Sequence, residues 1–262
     1  MMAHPGAQGQ GAALGDRRRG TQVTFEPMSE FMTAFVLAGQ LLMTRNPDLI
    51  EIVLLSLRVS GAAVLIGCLI GLPGGAAIGM FRFPGRELAV VVSNTLLGLP
   101  PVVVGLSVYL LLSRSGPLGW LDLLYTPAAM IVAQVILVTP ITIALTRQVT
   151  EDLNREYDEQ LRSLGVGAVG RLRTLLYEGR HALSTAVLAA FGRAIAEVGA
   201  VIIVGGNIAH QTRVMTTAIA LETSRGELGM AIALGILLLA LALLVNGTVS
   251  ALNRRNQHLH GG

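Results

Sequence analysis

Residues 183–204 read LSTAVLAAFGRAIAEVGAVIIV, an apolar run long enough to cross a lipid bilayer that nevertheless contains Arg193 and Glu197. A charged side chain inside a bilayer costs about 3 to more than 10 kcal/mol. The four-residue spacing places both side chains on one face of a continuous helix, where each offsets the other's charge. We therefore predict an ion pair that faces a bundle interior, either as a packing device or beside a polar pathway.

The rest of the chain has the composition of a membrane protein. Hydrophobic residues make up 52% of it and charged residues only 13%, against about 25% charged residues in soluble domains. Five apolar runs each reach across a hydrocarbon core of about 30 Å when helical. They are residues 59–80, 88–112, 127–149, 183–204 and 228–252. The sequence therefore predicts an all-α integral membrane protein with five transmembrane helices.

Arginine is the only cationic residue type apart from histidine, since the chain has 19 arginines and no lysine. A Walker A phosphate loop requires lysine, so any ATP hydrolysis must take place on another chain. The arginines also lack an aromatic-interleaved basic face, which argues against nucleic-acid binding. They serve instead as topology signals.

The arginines fall mostly on one side of the predicted spans. The other side holds Arg114, Arg213 and Arg225, together with Arg17, Arg18 and Arg19 of the N-terminal tail, which run against the pattern. The richer side holds Arg82, Arg86, Arg147, Arg155, Arg162, Arg171, Arg173, Arg180, Arg254 and Arg255. Because cytoplasmic loops are enriched in basic residues, the richer side is predicted to be cytoplasmic.

The flanking segments divide the chain further. Residues 1–24 have the composition of a disordered N-terminal tail, and residues 254–262 are expected to be a C-terminal tail. Residues 25–46 are predicted to form an interfacial amphipathic helix, because the apolar stretch 31–44 is too short to span. A sixth span over that stretch is the alternative. Residues 47–253 form the transmembrane domain.

Two spans carry features that bend helices or bring them together. The first has a glycine at every fourth position, Gly67, Gly71, Gly75 and Gly79, which predicts a smooth stripe for a neighbouring backbone. Pro73 predicts a bend within it. The second is interrupted at 98–101. Such interruptions occur in ordinary packing and also where transporters build pathways and gates.

The connection 150–182 is too polar to span and too regularly patterned to be an unstructured loop. Its acidic start, leucine pattern and glycine-rich turn predict two short amphipathic helices on a bend. Such a hairpin suits a groove on a partner protein. The alternative is that the hairpin packs against the helix bundle of the same chain.

The sequence Glu159-Gln160-Leu161, followed by Gly165, resembles the Glu-Ala-Ala, three residues, Gly signature of the coupling loop in ATP-binding-cassette importer permeases. Both alanines are replaced, and the proline expected at residue 178 is absent. The resemblance implies a type I importer permease fold with a cytoplasmic coupling-helix hairpin. The residues that it implies for ATPase coupling are Glu159, Leu161, Leu164, Gly165, Gly167 and Leu172.

Residues 94–105, 191–200 and 205–222 resemble the oxyanion branch of these permeases and are most similar to the tungstate type. The resemblance implies ATP-driven import of a tetrahedral oxyanion, tungstate within this branch, with molybdate and sulfate as alternatives. It further implies a second copy of the chain, two ATPase subunits and an extracytoplasmic binding protein in a bacterial or archaeal cytoplasmic membrane. No catalytic residue, metal site or cofactor is expected in the chain.

Seven residues are candidates for lining the pathway or its gate, because they are polar or interrupt a helix within a span. They are Asn94, Pro100, Pro101, Gln134, Arg193, Glu197 and Asn207. An ordinary interhelical hydrogen bond is the alternative role for the polar members.

Two other classes of membrane protein fit less well. An intramembrane hydrolase would need a nucleophile and base, and neither a Gly-x-Ser-x-Gly nor a His-Glu-x-x-His motif is present. A secondary transporter would need inverted repeats and its own ion site, which the five spans do not indicate.

Overall fold

Helices make up almost all of the regular structure in the computed structural model, which describes the backbone of residues 27–44 and 46–260. The predicted tail over 1–24 lies outside these residues. The helices are α1 (Pro27–Met43), α2 (Pro47–Met80), α3 (Arg86–Leu97), α4 (Pro101–Leu112), α5 (Pro127–Ser163), α6 (Ala168–Glu178), α7 (Arg180–Ile195), α8 (Gly199–Gly205), α9 (Met215–Arg225) and α10 (Leu228–His260). A short 3₁₀ turn at Gly119–Leu121 follows α4.

Five membrane spans account for most of these helices. α2, α5 and α10 are each long and apolar enough to cross a bilayer alone. Two further spans are bent helix pairs, α3 with α4 at 100° and α7 with α8 at 55°. Counting each bent pair as one span gives the five predicted spans, and the interruption of the second span is confirmed.

The fourth span differs from the prediction. Its first helix ends at Ile195, and Glu197 lies in the break before α8 rather than on a continuous helix with Arg193. The idea that the two residues share one helix face was therefore wrong. The physical reason lies in the hydrogen bonds of Glu197, described below.

The contact between α2 and α5 uses the predicted glycine stripe. A Cβ atom on Gly71 would lie 2.6 Å from Thr142 Cβ, and one on Gly79 would lie 2.8 Å from the Arg147 carbonyl oxygen. Larger side chains would therefore push the two helices apart. α2 continues as one helix through Pro73. The stripe thus joins the first and third spans almost backbone to backbone.

The remaining spans pack around this pair. One apolar cluster joins Val59 of α2, Val108 of α4, Met130 of α5 and Val204 of α8. α1 packs against α10, where Ala38 lies in a cluster with several α10 leucines. The apolar part of α1 is Met32–Leu41, which is too short to cross a bilayer. Its position at the membrane interface stays a prediction.

The connection after the third span was predicted as two separate short helices, and this was wrong for the first of them. α5 runs from Pro127 to Ser163 without a break, so the span and the first half of the hairpin are one helix. No glycine or proline interrupts residues 141–163, and ion pairs such as Arg147–Glu151 and Arg162–Asp158 support the helix at four-residue spacing. α6 forms the second half of the hairpin.

The turn between α5 and α6 is a Schellman motif. Gly165 has a positive φ of 68°, which glycine adopts without strain. The Gly165 amide donates to the Arg162 carbonyl at 3.0 Å, and the Val166 amide donates to the Leu161 carbonyl at 3.0 Å. These bonds satisfy carbonyls at the end of α5 and fix the direction in which α6 leaves.

Candidate functional site

The breaks in the second and fourth spans lie side by side. A Cβ atom on Gly199, the first residue of α8, would lie 3.1 Å from Val102 Cγ2 and 3.7 Å from Pro101 Cβ. One on Gly105 would lie 2.8 Å from the Ala200 Cα atom. α4 and α8 therefore pack almost backbone to backbone just beyond their breaks. This arrangement concentrates irregular backbone at one place among the spans.

Two consecutive prolines explain the break between α3 and α4. Pro100 has an extended backbone (φ −65°, ψ 123°), and Pro101 occupies the first position of α4. Neither proline has an N–H group with which to continue α3, and a residue before proline is driven away from helical geometry. The chain consequently turns by 100° between the two helices.

Glu197 explains the break between α7 and α8. Its carboxylate Oε1 accepts a hydrogen bond from the Ala200 amide at 3.1 Å, and its Oε2 accepts one from Arg193 Nη1. The side chain thus takes the role of a cap at the start of α8, which competes with helix continuation. Glu197 is only 3% exposed, whereas the Arg193 side chain is 35% exposed. The predicted ion pair therefore forms across a break.

Gln134 of α5 lies beside this pair. It is buried, and its Nε2 donates to the Ala194 carbonyl at 3.0 Å. Its Oε1 has no hydrogen-bond partner among the residues that the structure describes. Buried amide oxygens are usually paired. An acceptor of this kind is compatible with a polar pathway.

One residue of α9 supports the site although it was not among the predicted site residues. Thr216 donates from its Oγ1 to the Glu197 carbonyl at 2.8 Å. The neighbouring Met215 amide donates to Ser56 Oγ of α2 at 2.9 Å, which fixes α9 against the first span. Both contacts join residues far apart in the chain, and no local pattern signals them.

The other candidates are dispersed. Asn94 lies on the exposed face of α3, and Pro100 is exposed within the break. Asn207 follows α8 with a positive φ of 50°, and its Nδ2 donates to the Thr217 carbonyl at 3.3 Å. The structure therefore brings together Pro101, Gln134, Arg193 and Glu197 but not Asn94 or Asn207.

The coupling candidates surround the α5–α6 turn. Leu164 is 75% exposed at its tip, and Glu159, Gly165 and Gly167 are also exposed. Leu161 and Leu172 are half-buried on its inner side.

A charge network centred on the half-buried Asp158 fixes the hairpin behind this tip. Asp158 Oδ1 accepts hydrogen bonds from Arg162 Nε at 2.9 Å and from Arg171 Nη1 at 2.7 Å. Arg171 belongs to α6, so the second bond joins the two halves of the hairpin. The ion pairs therefore hold the two halves of the hairpin together, and its exposed tip is apolar.

Residues 71–258 match the family described as binding-protein-dependent transport system inner membrane component. The chain belongs to this family. It is 40% identical over 225 residues to the tungstate uptake system permease protein TupB of Peptoclostridium acidaminophilum, covering 86% of this chain and 99% of that one. It is 43% identical over 203 residues to a probable anion ABC transporter permease protein of Haloferax volcanii, covering 76% and 88%.

A more distant relative is the sulfate transport system permease protein CysT of Salmonella typhimurium, 29% identical over 217 residues with 80% and 78% coverage. These relatives are named as permease proteins and not as enzymes. Family membership makes the chain a multi-pass inner-membrane permease subunit of an ATP-binding-cassette transporter. It also implies an ATPase and a binding protein as partners.

Proposed function

We propose that this permease carries tungstate into the cell, driven by ATP hydrolysis on a partner subunit. The observation that supports tungstate is the 40% identity to a tungstate uptake permease over 99% of that protein's length. Molybdate and sulfate, also tetrahedral oxyanions, are the competing substrates within the same class.

We further propose that Arg193 lies at the anion pathway or its gate. Its guanidinium is partly exposed while its partner Glu197 is buried. A guanidinium has five N–H donors, and its fork suits the oxygens of a tetrahedral oxyanion. Only one of these donors is bonded to Glu197 in the structure. The paired glutamate would weaken anion binding, which suits a site that must release its substrate.

Two copies of the chain would enclose the pathway, and the α5–α6 hairpin of each would contact an ATPase subunit. Five spans hardly enclose a gated pathway, and large apolar side chains of α4, such as Val102, Leu106 and Leu110, are more than half exposed. A second copy and lipid would cover them. The apolar tip at Leu164 and Gly165 would fit a groove on the ATPase.

Uptake in cells tests the substrate. The permease, its ATPase and its binding protein are expressed in cells that lack their own tungstate uptake, and cellular tungsten is measured by mass spectrometry. We expect tungsten to accumulate in the presence of excess sulfate and molybdate, and only with a catalytically intact ATPase. Accumulation of sulfate or molybdate without tungsten would show that one of those anions, and not tungstate, is the substrate. Uptake with an inactive ATPase would contradict ATP-driven transport.

Co-purification tests the assembly. Two copies of this chain with different affinity tags are expressed together with the ATPase. We expect each tag to recover the other copy and the ATPase from detergent. Recovery of the ATPase with only one tagged copy, accompanied by a second kind of permease chain, would contradict a homodimer.

A further inference from the structure

A polar cavity of about 650 Å³ lies at the arginine-rich end of the bundle, away from the two broken spans. It opens between the turn that joins α2 to α3 and the part of α5 that extends beyond the span. The charged and amide side chains that line it are Arg82, Arg86, Glu87, Glu151, Asn154 and Arg155. The transport pathway proposed above does not use it.

One carboxylate at the wall of this cavity is shared by three arginines. Glu151 pairs with Arg147 Nη1 at 2.8 Å, with Arg155 Nη2 at 3.0 Å and with Arg86 Nη2 at 3.4 Å. Arg82 also lines the cavity and forms no ion pair with the side chains that the structure describes. Three arginines line the cavity with Glu151 and Glu87, and Arg147 pairs with Glu151 from outside it, so positive charge is in excess around the open space.

The geometry of this wall is fixed by the backbone. Arg86 Nε donates to the Ile78 carbonyl at 2.9 Å, which holds its guanidinium over the end of α2. Gly85 has a positive φ of 88° and lets the chain turn directly into α3. No side chain caps the start of α3, so its first amides add positive potential near the arginines. The Arg86 guanidinium and the start of α3 are therefore held in place at this wall.

The cavity lies where the first span ends. Phe81 and Phe83 on the same turn are 37% and 41% exposed, as is typical of aromatic residues at a membrane interface. The arginine count places this end of the bundle in the cytoplasm. A basic pocket at this level is suited to the phosphate of an anionic lipid or to a free oxyanion.

We propose that this cavity binds a tetrahedral phosphate-type anion at the cytoplasmic face, presented by a lipid headgroup or free in solution. The site goes beyond the proposed transport function and does not depend on which anion is imported. Arg82 and Arg155 supply the binding charge, because both are exposed and retain unbonded guanidinium donors. Arg86 and Arg147 keep Glu151 neutralised.

The test measures the melting temperature of the purified permease–ATPase complex in lipid nanodiscs. One arm compares phosphatidylcholine discs with discs that contain phosphatidylglycerol. A second arm adds inorganic phosphate to phosphatidylcholine discs, against sodium chloride at matched ionic strength. We expect the melting temperature of the wild type to rise in at least one arm. A rise only with phosphatidylglycerol identifies the ligand as a lipid headgroup, and a rise only with phosphate identifies it as a free anion.

Variants that remove charge test whether the rise in melting temperature depends on this cavity. Arg82→Gln with Arg155→Gln should raise the anion concentration or lipid fraction at half-effect by about fivefold for each arginine removed. Arg173→Gln is the matched control, since Arg173 is an exposed arginine of α6 outside the cavity, and it should behave as the wild type. Equal responses of the double variant and the wild type, or no rise in either arm, would overturn the proposal.

Discussion

At the scale of single residues, Glu197 determines both the local backbone and the local charge. One of its oxygens caps the start of α8 and the other holds Arg193. The pairing itself followed from the spacing of the two residues. The break did not, because nothing in the sequence states whether a carboxylate bonds an amide three residues ahead or leaves the helix intact. The contact with Thr216 was equally hidden, since it depends on where α9 packs.

Removal of Glu197 alone should be more harmful than removal of the pair. Glu197→Ala leaves the Arg193 charge uncompensated and removes the acceptor for the Ala200 amide. Because the Arg193 side chain is 35% exposed, we expect a cost below the roughly 3–5 kcal/mol of a fully buried pair. We expect a low membrane level of Glu197→Ala and a restored level of the Arg193→Ala, Glu197→Ala double variant, both measured by immunoblot.

Uptake then separates the two roles of the pair. If Arg193 belongs to the pathway, the double variant is present but does not transport tungstate. Restored transport would instead identify a packing pair. Glu222→Ala is a matched control, because it removes the acid of the exposed Arg225–Glu222 pair on α9, and it should leave level and uptake unchanged.

His210 should make stability depend on pH. Its Nδ1 lies 2.8 Å from Glu51 Oε2, and this hydrogen bond together with the charge of Glu51 raises the pKa of His210. A raised pKa stabilises the folded state below the ordinary histidine value of about 6.5, and that contribution is lost as pH rises through the folded-state pKa. We expect the melting temperature of the wild type to fall over this interval.

The same measurement on His210→Gln and on Glu51→Gln provides the comparison. Each substitution removes the ion pair, so both variants should show the same flattened pH dependence. A variant that retains the full wild-type slope would show that other groups cause it.

At the scale of helices, the sequence predicted spans well and interruptions unevenly. Pro100 and Pro101 predicted the break of the second span, because proline cannot continue a helix. The polar composition of residues 150–163 suggested a separate helix after the third span. Composition marks where a helix leaves the membrane, however, and not where it ends. Helix α5 ends only at Ser163, two residues before the glycine of the next turn.

Gly165 should be essential for docking of the ATPase. Its φ of 68° strains any other residue, and Gly165→Pro also removes the amide that bonds the Arg162 carbonyl. We expect Gly165→Pro to insert normally into the membrane but to lose ATPase co-purification and uptake. Gly165→Ala should weaken both, at a conformational cost of about 1–2 kcal/mol.

Gly226→Ala is the matched control outside the hairpin. Gly226 also has a positive φ, of 80°, and a Cβ atom there would meet open space. This variant carries a similar conformational cost away from the turn, so it should recover the ATPase as the wild type does. Normal recovery by Gly165→Pro would refute docking at this turn.

At the scale of the whole molecule, the arginine distribution predicts sidedness. On a Cys68→Ala background, Ser163→Cys should react with a membrane-impermeant thiol reagent only after the membrane is opened, because the α5–α6 turn is cytoplasmic. Gln211→Cys, in the connection between α8 and α9, should react in intact cells. Both native side chains are exposed. The reversed pattern of labelling would overturn the orientation.

Architecture and broad function could be predicted from this chain, whereas the identity of the anion could not. Apolar length sets the number of spans, and the absence of lysine excludes a Walker A loop. A tetrahedral oxyanion meets only a few groups in a permease, and Arg193 would attract tungstate, molybdate and sulfate for the same electrostatic reason. We therefore expect discrimination to lie mainly with the binding protein.

The uninterrupted course of α5 has a mechanical consequence. Its 37 residues form a rod about 55 Å long, and the glycine stripe of α2 clamps part of that rod. Gln134 near one end and Leu164 just beyond the other are thus joined by one continuous helix, although Pro140 between them lacks the amide donor of a regular helix. We expect a movement of the cytoplasmic tip to reach Gln134 as a tilt of α5 about its contact with α2, with Pro140 and the two broken spans as the places that bend.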